Sequence, residues 1–210
     1  MHAEETIARL RQRFSYPLPG LEAQFSMAPP LRKEFPVIPA DAKKAAVLIL
    51  LYPEQGRWYF PLIRRAADMR SHSGQIALPG GRLEPNDPDL ITTALRETEE
   101  EVGIPMREIE VLGALTEAYI PPSNSLVLPV LGWVPACPPM AAQPGEVAEI
   151  ICTPVDFLFD ESRIAWHSVK THNGLGLKAP GWTMPDGSLL WGATAMMLAE
   201  FRQLWQEADA

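Results

Sequence analysis

An α/β fold, with a mixed sheet packed between helices, is predicted by three observations. A nearly unbroken apolar run, Ala45 to Tyr52, reads as a buried strand. A long helical pattern at 88–102 then interrupts the strand patterns early. After further strands, a second helical pattern follows at 193–208.

The elements are read in order. Residues 3–12 give a short amphipathic helix with Ile7 and Leu10 on its apolar side. Residues 15–43 are rich in proline (Pro17, Pro19, Pro29, Pro30, Pro36 and Pro39) and read as an arm wrapping the main domain. Phe25, Met27, Leu31 and Phe35 favour packing over a disordered leader. This divides the chain into a helix and arm at 1–42 and a main domain at 43–210. Gln55 and Gly56 supply a turn, and Trp58 to Arg64 the return strand of a hairpin. Ser71 to Gln75 is a polar loop, and Ile76 to Leu78 a short strand ended by Pro79-Gly80-Gly81. In the helix at 88–102, Pro88 suits the first turn and Gly103 the C-terminal cap. Strands are expected near 109–117 and 124–134, separated by Pro121 and Pro122. A proline-rich loop at 135–146 precedes a strand from Val147 to Cys152 and a helical turn or two from Pro154 to Leu158. Ile164 to Lys170 and Leu175 to Met184 read as strands around His172-Asn173-Gly174. Asp186-Gly187 then turns the chain into Leu189 to Trp191, and a helix runs from Ala193 to Ala208.

Composition narrows the function. At 210 residues and 47% hydrophobic, the chain fits one globular domain, with or without small elaborations. A net charge of -8 with no basic block argues against wrapping nucleic acid. No apolar run has the length of a membrane span. The start MHAEETIARLRQRF does not read as a secretory signal, and cytoplasm is the expected compartment. Cys137 and Cys152 make neither a disulfide framework nor a CxxC metal pattern, and are read as structural.

The chemistry concentrates in GGRLEPNDPDLITTALRETEEEVGI, residues 80–104. On a helical wheel Ile91, Ala94, Leu95, Thr98 and Val102 gather on one side, and Glu97, Glu100 and Glu101 on another. Like charges three and four residues apart destabilise a bare helix, and late in a helix the macrodipole does not help them. Mg²⁺ or Mn²⁺ would relieve both effects, because such ions prefer carboxylate oxygens and bridge to phosphates. The plain alternative is an acidic solvated face. Against it stand Gly80 and Gly81, which permit a close approach, and Arg96, whose i+4 partner is Glu100.

The segment resembles the Nudix box: a glycine, a glutamate after five residues, then R-E-U-x-E-E-x-G-U after seven, with U apolar. Arg96 to Ile104 match the second half, with Thr98 at an apolar position. Counting from Gly81, the acidic position falls on Asp87, with eight residues rather than seven separating it from Arg96. Upstream, RRAADMRSHSGQIALPGG at 64–81 is similar to the signature of the coenzyme A diphosphatase branch. The resemblance covers roughly residues 43–205. It implies a Nudix-type alpha/beta/alpha sandwich with a central mixed sheet, and attack of metal-activated water on a diphosphate. On this resemblance Glu97, Glu100 and Glu101 hold Mg²⁺ or Mn²⁺, with the Gly81 carbonyl and Glu146 as further ligands. Arg96 orients a carboxylate, and Glu97 is a possible base if the ion leaves it a free oxygen.

Arg64, Arg65 and Arg70 are candidates for binding substrate phosphates through planar donor forks, and His72 for contacting phosphate or base. Each arginine can equally be a surface residue. Glu146, Glu149 and Glu117 can be solvated loop residues, and Trp166, Trp182, Trp191 and Tyr119 core or dimer residues. The expected substrate is a small nucleotide diphosphate. Coenzyme A, giving 4′-phosphopantetheine and 3′,5′-ADP, comes first. ADP-ribose, NADH or a related compound is the second reading, and a non-catalytic nucleotide sensor the third. The resemblance also favours a homodimer.

Overall fold

The computed structural model of the chain describes residues 3–30, 37–66, 74–170 and 176–209. Strand β1 (Lys43–Glu54) organises it. Ala46, Leu48, Leu50 and Tyr52 enter one apolar cluster, and Ala45, Ile49 and Leu51 enter another. Period-two alternation across a strand buried on both faces produces the unbroken apolar run in the sequence. Gln55 and Gly56, both at positive φ, turn the chain into β2 (Arg57–Arg65), which pairs antiparallel with Tyr59 opposite Tyr52.

The earlier part of β1 pairs in parallel with β7 (Ser125–Trp133), Lys43 opposite Ser125. It also pairs antiparallel with β4 (Gly80–Arg82), Ala46 opposite Gly81. β3 (Ile76–Ala77) and β8 (Val147–Pro154) flank β2. β5 (Glu110–Ala114) and β6 (Ala118–Ile120) pair with β7. Among the described residues these eight strands form one mixed sheet.

Helix α3 (Leu90–Val102) covers one face, where Ala94 and Val102 pack with Leu48, Leu50 and Ile63. The other face is covered by α1 (Ala3–Arg13), α2 (Gly20–Phe25) and α4 (Gly192–Asp209). Ile7, Leu10, Phe60, Leu198, Phe201 and Leu204 share that cluster. Arg13 pairs with Glu207, and Arg9 with Asp209 at 3.0 Å, tying α1 along α4. The result is the expected α/β/α sandwich around a mixed sheet. A second, antiparallel sheet of β9 (Ile164–Lys170), β10 (Gly176–Thr183) and β11 (Leu189–Trp191) leads into α4. No helix among the described residues is long and apolar enough to cross a membrane.

Several boundaries differ from expectation. α3 begins at Leu90, because the Asp89 side chain accepts from the Thr92 N–H and caps the helix, so Pro88 lies before the first turn. Gly103 is the C-terminal cap, at φ 78°. Gly80 and Gly81 do not merely end β3; they pair with β1 as β4. The arm contains α2, which was not expected. The strand expected at 109–117 stops at Ala114, and β6 forms separately. Leu31, Phe35 and the His172-Asn173-Gly174 turn lie outside the described residues.

Candidate active site

The floor of the site is set by how closely β4 and α3 approach β1. A Cβ on Gly80 would lie 2.3 Å from the Ala46 carbonyl oxygen and 2.6 Å from Val47 Cα, and Gly80 sits at φ 151°. Only glycine fits there without backbone movement. A Cβ on Gly81 would lie 2.3 Å from the carboxylate carbon of Glu97. Gly81 therefore leaves the space that the Glu97 carboxylate fills.

α3 presents its carboxylates in different directions. Glu101 is buried, its side chain 3% exposed, and accepts from the Gly80 N–H at 2.8 Å. Arg65 Nη1 is 3.6 Å from the other oxygen. Burial pushes the Glu101 carboxyl up to about 7, against the lowering effect of the Gly80 N–H and Arg65. Glu97 is also raised by burial, and Glu100 and Glu146 add to this while Arg96 opposes it. Glu100 is half-exposed, 3.1 Å from Arg96. Glu99 turns elsewhere and accepts from the Met106 N–H at 2.9 Å.

Arg96 is the hub. Its Nε and Nη2 form a fork on Asp87 at 2.9 and 3.0 Å, its Nη2 lies 3.0 Å from Glu97, and it also donates to the Arg82 carbonyl. Asp87 accepts further from Thr93 Oγ1 and the Glu84 N–H. The Arg96 guanidinium, first, and these donors hold the Asp87 carboxyl well below the usual carboxylate range. The longer spacing before Arg96 thus still brings an acidic residue onto it. Thr98, at the usually apolar position, is buried, and its hydroxyl donates to the Ala94 carbonyl at 2.7 Å.

Strand alternation separates the two adjacent arginines of β2. Ile63 belongs to the α3-side cluster and Leu62 to the α4-side cluster. Arg65 accordingly reaches Glu101, while Arg64 pairs with Glu149 at 2.9 Å and Asp186 at 2.7 Å, clipping the β10–β11 turn to the main sheet. A register shift in the β2–β8 pair falls between them. Arg70 and His72 lie outside the described residues. Glu146 is exposed, close enough to raise both Glu97 and Glu101. Its loop is held to α3 by the Gln143 N–H on the Glu101 carbonyl and the Ala141 N–H on the Val102 carbonyl. Glu117 is exposed between β5 and β6, and Trp166 is exposed on β9. Trp182 is core, and the Tyr119 hydroxyl donates to Asn124.

Beside this cluster opens a cleft of about 450 Å³. Arg65, Gly81 and Arg82 lie at its polar end; Ile120, Leu177, Trp191 and Met197 line an apolar remainder. Trp191, read from the sequence as a core or dimer residue, borders this cleft. Among the described residues, no three acidic, histidine or cysteine side chains converge as a ready-made ion cage. The donors nonetheless suit a hard divalent cation. They are oxygens, Glu101 is buried and Glu97 partly buried so that both carboxyls are raised and a cation would offset that cost, and Gly81 leaves the Glu97 carboxylate unobstructed.

A sandwich that carries a glycine-backed glutamate helix beside a cleft, in a chain matched by the NUDIX domain profile, is of the class that hydrolyses nucleoside diphosphate derivatives. The chain belongs to the Nudix hydrolase family, since the NUDIX domain profile matches residues 42–170. It is 38% identical over 172 residues to the uncharacterized Nudix hydrolase NudL of Yersinia pestis (strain Pestoides F), covering 78% of this chain and 80% of that one. The Yersinia pseudotuberculosis serotype O:1b (strain IP 31758) NudL gives the same figures. Among solved structures, the Nudix hydrolase RenU of M. smegmatis aligns with TM-score 0.55 and 18% identity, over 79% of this chain and 87% of that one. An Enterococcus faecalis MutT/nudix family protein aligns with TM-score 0.51 and 17% identity, over 83% and 66%. At these identities the solved structures show the shared fold.

Proposed function

We propose that the protein is a coenzyme A diphosphatase, cleaving coenzyme A to 4′-phosphopantetheine and 3′,5′-ADP with Mg²⁺ or Mn²⁺. The observation that carries this reading is the cleft. Gly80 and Gly81 line it, backed by Glu101 on the Gly80 N–H and by Glu97 against Gly81, and its apolar remainder can hold a long arm attached to the diphosphate. The similarity of residues 64–81 to the coenzyme A signature selects among nucleotide diphosphates.

Glu97, Glu101 and the Gly81 carbonyl would hold the ion, with Glu100 and Glu146 at its margin. When bound there, such an ion would supply Lewis-acid charge to the diphosphate and lower the pKa of the attacking water. Arg96, fixed by Asp87, orients Glu97. The Gly80 N–H orients Glu101. Arg65 places a guanidinium at the polar end, suited to a diphosphate oxygen. Water adds to one phosphorus, the bond from that phosphorus to the bridging oxygen breaks, and two monoesters leave.

The test is incubation with coenzyme A and a divalent ion, with products identified by mass. Dephospho-coenzyme A, ADP-ribose and NADH run in parallel, and Glu101→Gln sets the background. Phosphopantetheine and 3′,5′-ADP, lost in the variant, are expected. Turnover of another compound without coenzyme A cleavage would replace the assignment. A nucleotide bound without turnover of any compound would point to a sensor.

A further inference from the structure

Glu200 of α4 lies away from the glutamate helix and is fully buried. Four neutral groups donate to its carboxylate. The Gly20 N–H reaches Oε1 at 3.1 Å, and Gln24 Nε2 reaches Oε2 at 2.8 Å. The Thr116 N–H lies 3.2 Å from both oxygens, and Thr116 Oγ1 donates to Oε1 at 2.7 Å. Gln24 Nε2 also donates to the Thr116 carbonyl at 2.7 Å. One carboxylate therefore joins α2, the link between β5 and β6, and α4. A buried acceptor of this kind is costly to leave unsatisfied, so the three segments are held at fixed spacing.

Each of these segments continues into the cleft. Beyond α2, Met27 and Ala28 are buried and Pro29 lines the cleft. Beyond Thr116, β6 leads to Ile120 and Pro121, also lining residues. On α4, Ala193 and Met197 lie seven and three residues before Glu200, on the same helical face, and both line the cleft. The seam beside Gln24 retains a void of about 20 Å³ between Phe25, Ala118 and Met196. Gly20, Gln24 and Glu200 lie outside the residues matched by the family profile, while Thr116 lies inside them.

We propose that Glu200 is a positioning residue for substrate. It sets the spacing of the three walls at the apolar end of the cleft, and through them the affinity for the part of the substrate distal to the diphosphate. This rests on the cleft being the substrate site of the diphosphatase reading.

Glu200→Gln preserves shape but turns one acceptor into an NH₂ facing N–H donors. Thr116→Val removes one hydroxyl donor, and Thr116→Ser restores it. The full chain is assayed with coenzyme A and MgCl₂, at a temperature where circular dichroism shows each variant fully folded. KM for Glu200→Gln is expected to rise about tenfold, the change that ~1.4 kcal/mol of lost binding free energy produces. kcat should change far less. Thr116→Val should raise KM in the same direction, and Thr116→Ser should return most of it. Amide exchange should accelerate at residues 20–30 and 118–123 but not across 90–102. A lowered Tm with KM unchanged would mean Glu200 serves only the core, and overturns the proposal. Unaltered exchange at both walls overturns it as well. If the wild-type chain cleaves none of the four diphosphates, the functional reading fails, and exchange at the two walls alone then decides for or against Glu200.

Discussion

Replacing Gly81 by alanine separates the position of one carboxylate from the stability of the fold. The added Cβ would stand 2.3 Å from Glu97 Cδ, whereas ordinary contact begins near 3.4 Å. The Glu97 carboxylate must therefore retreat by about 1 Å, a displacement that costs on the order of 10²-fold in rate when a catalytic group is misplaced. The backbone is spared, because the obstructing atoms are the far end of a flexible side chain. Thermal unfolding and steady-state turnover should dissociate: Tm nearly unchanged, kcat/KM down about a hundredfold. Gly80→Ala is the internal contrast. Its Cβ meets the Ala46 carbonyl and Val47 Cα, so stability itself should fall. Wild-type turnover in Gly81→Ala would refute the placement of Glu97 in the chemistry. A collapse in Tm would refute the claim that only a side chain stands in the way.

Glu101 should make the metal-free protein less stable as pH rises. Its carboxyl is pushed up to about 7 in the fold from an ordinary 4.5, so the folded state binds the proton more tightly. Its contribution is present below pH 4.5 and is lost as pH climbs through 7, a change on the order of 3 kcal/mol. Urea unfolding of wild type and Glu101→Gln between pH 4.5 and 8 should diverge with pH, and parallel curves would contradict the burial argument. Phe201→Ala, at a fully buried ring packed edge-on to Phe60 and Trp205, should cost about 3–5 kcal/mol in the same assay. A cost under about 1 kcal/mol would mean that the α4 layer repacks freely.

Elements that bury a face alone could be read from the sequence. β1 shows a run apolar on both sides, and α3 shows its stripe, its glutamates and its Gly103 cap. α2 could not be read, because a six-residue helix among prolines has too short a periodicity and is held instead by Gln24 on Glu200. Asp87 was legible as acidic but not as the partner of Arg96, since the intervening loop sets that meeting in space. The adjacent Arg64 and Arg65 read alike in sequence. Pleating sends one to Glu149 and Asp186 and the other to Glu101. Glu200 resembled any polar residue of a surface helix. Its burial depends on segments about 80 and 180 residues away, a separation no local pattern encodes.

The pairing of α1 along α4 has a consequence for synthesis. About 180 residues separate Arg13 from Gly192, which at ~5–20 residues per second is roughly 10–40 s of translation. During that interval Ile7 and Leu10 have no α4 to cover them, although the β1–β7 pair and α3 can already assemble. The sheet and its glutamate helix can therefore be in place on the ribosome while the apolar end of the cleft still lacks a wall, and the nascent chain carries an open hydrophobic face until α4 emerges.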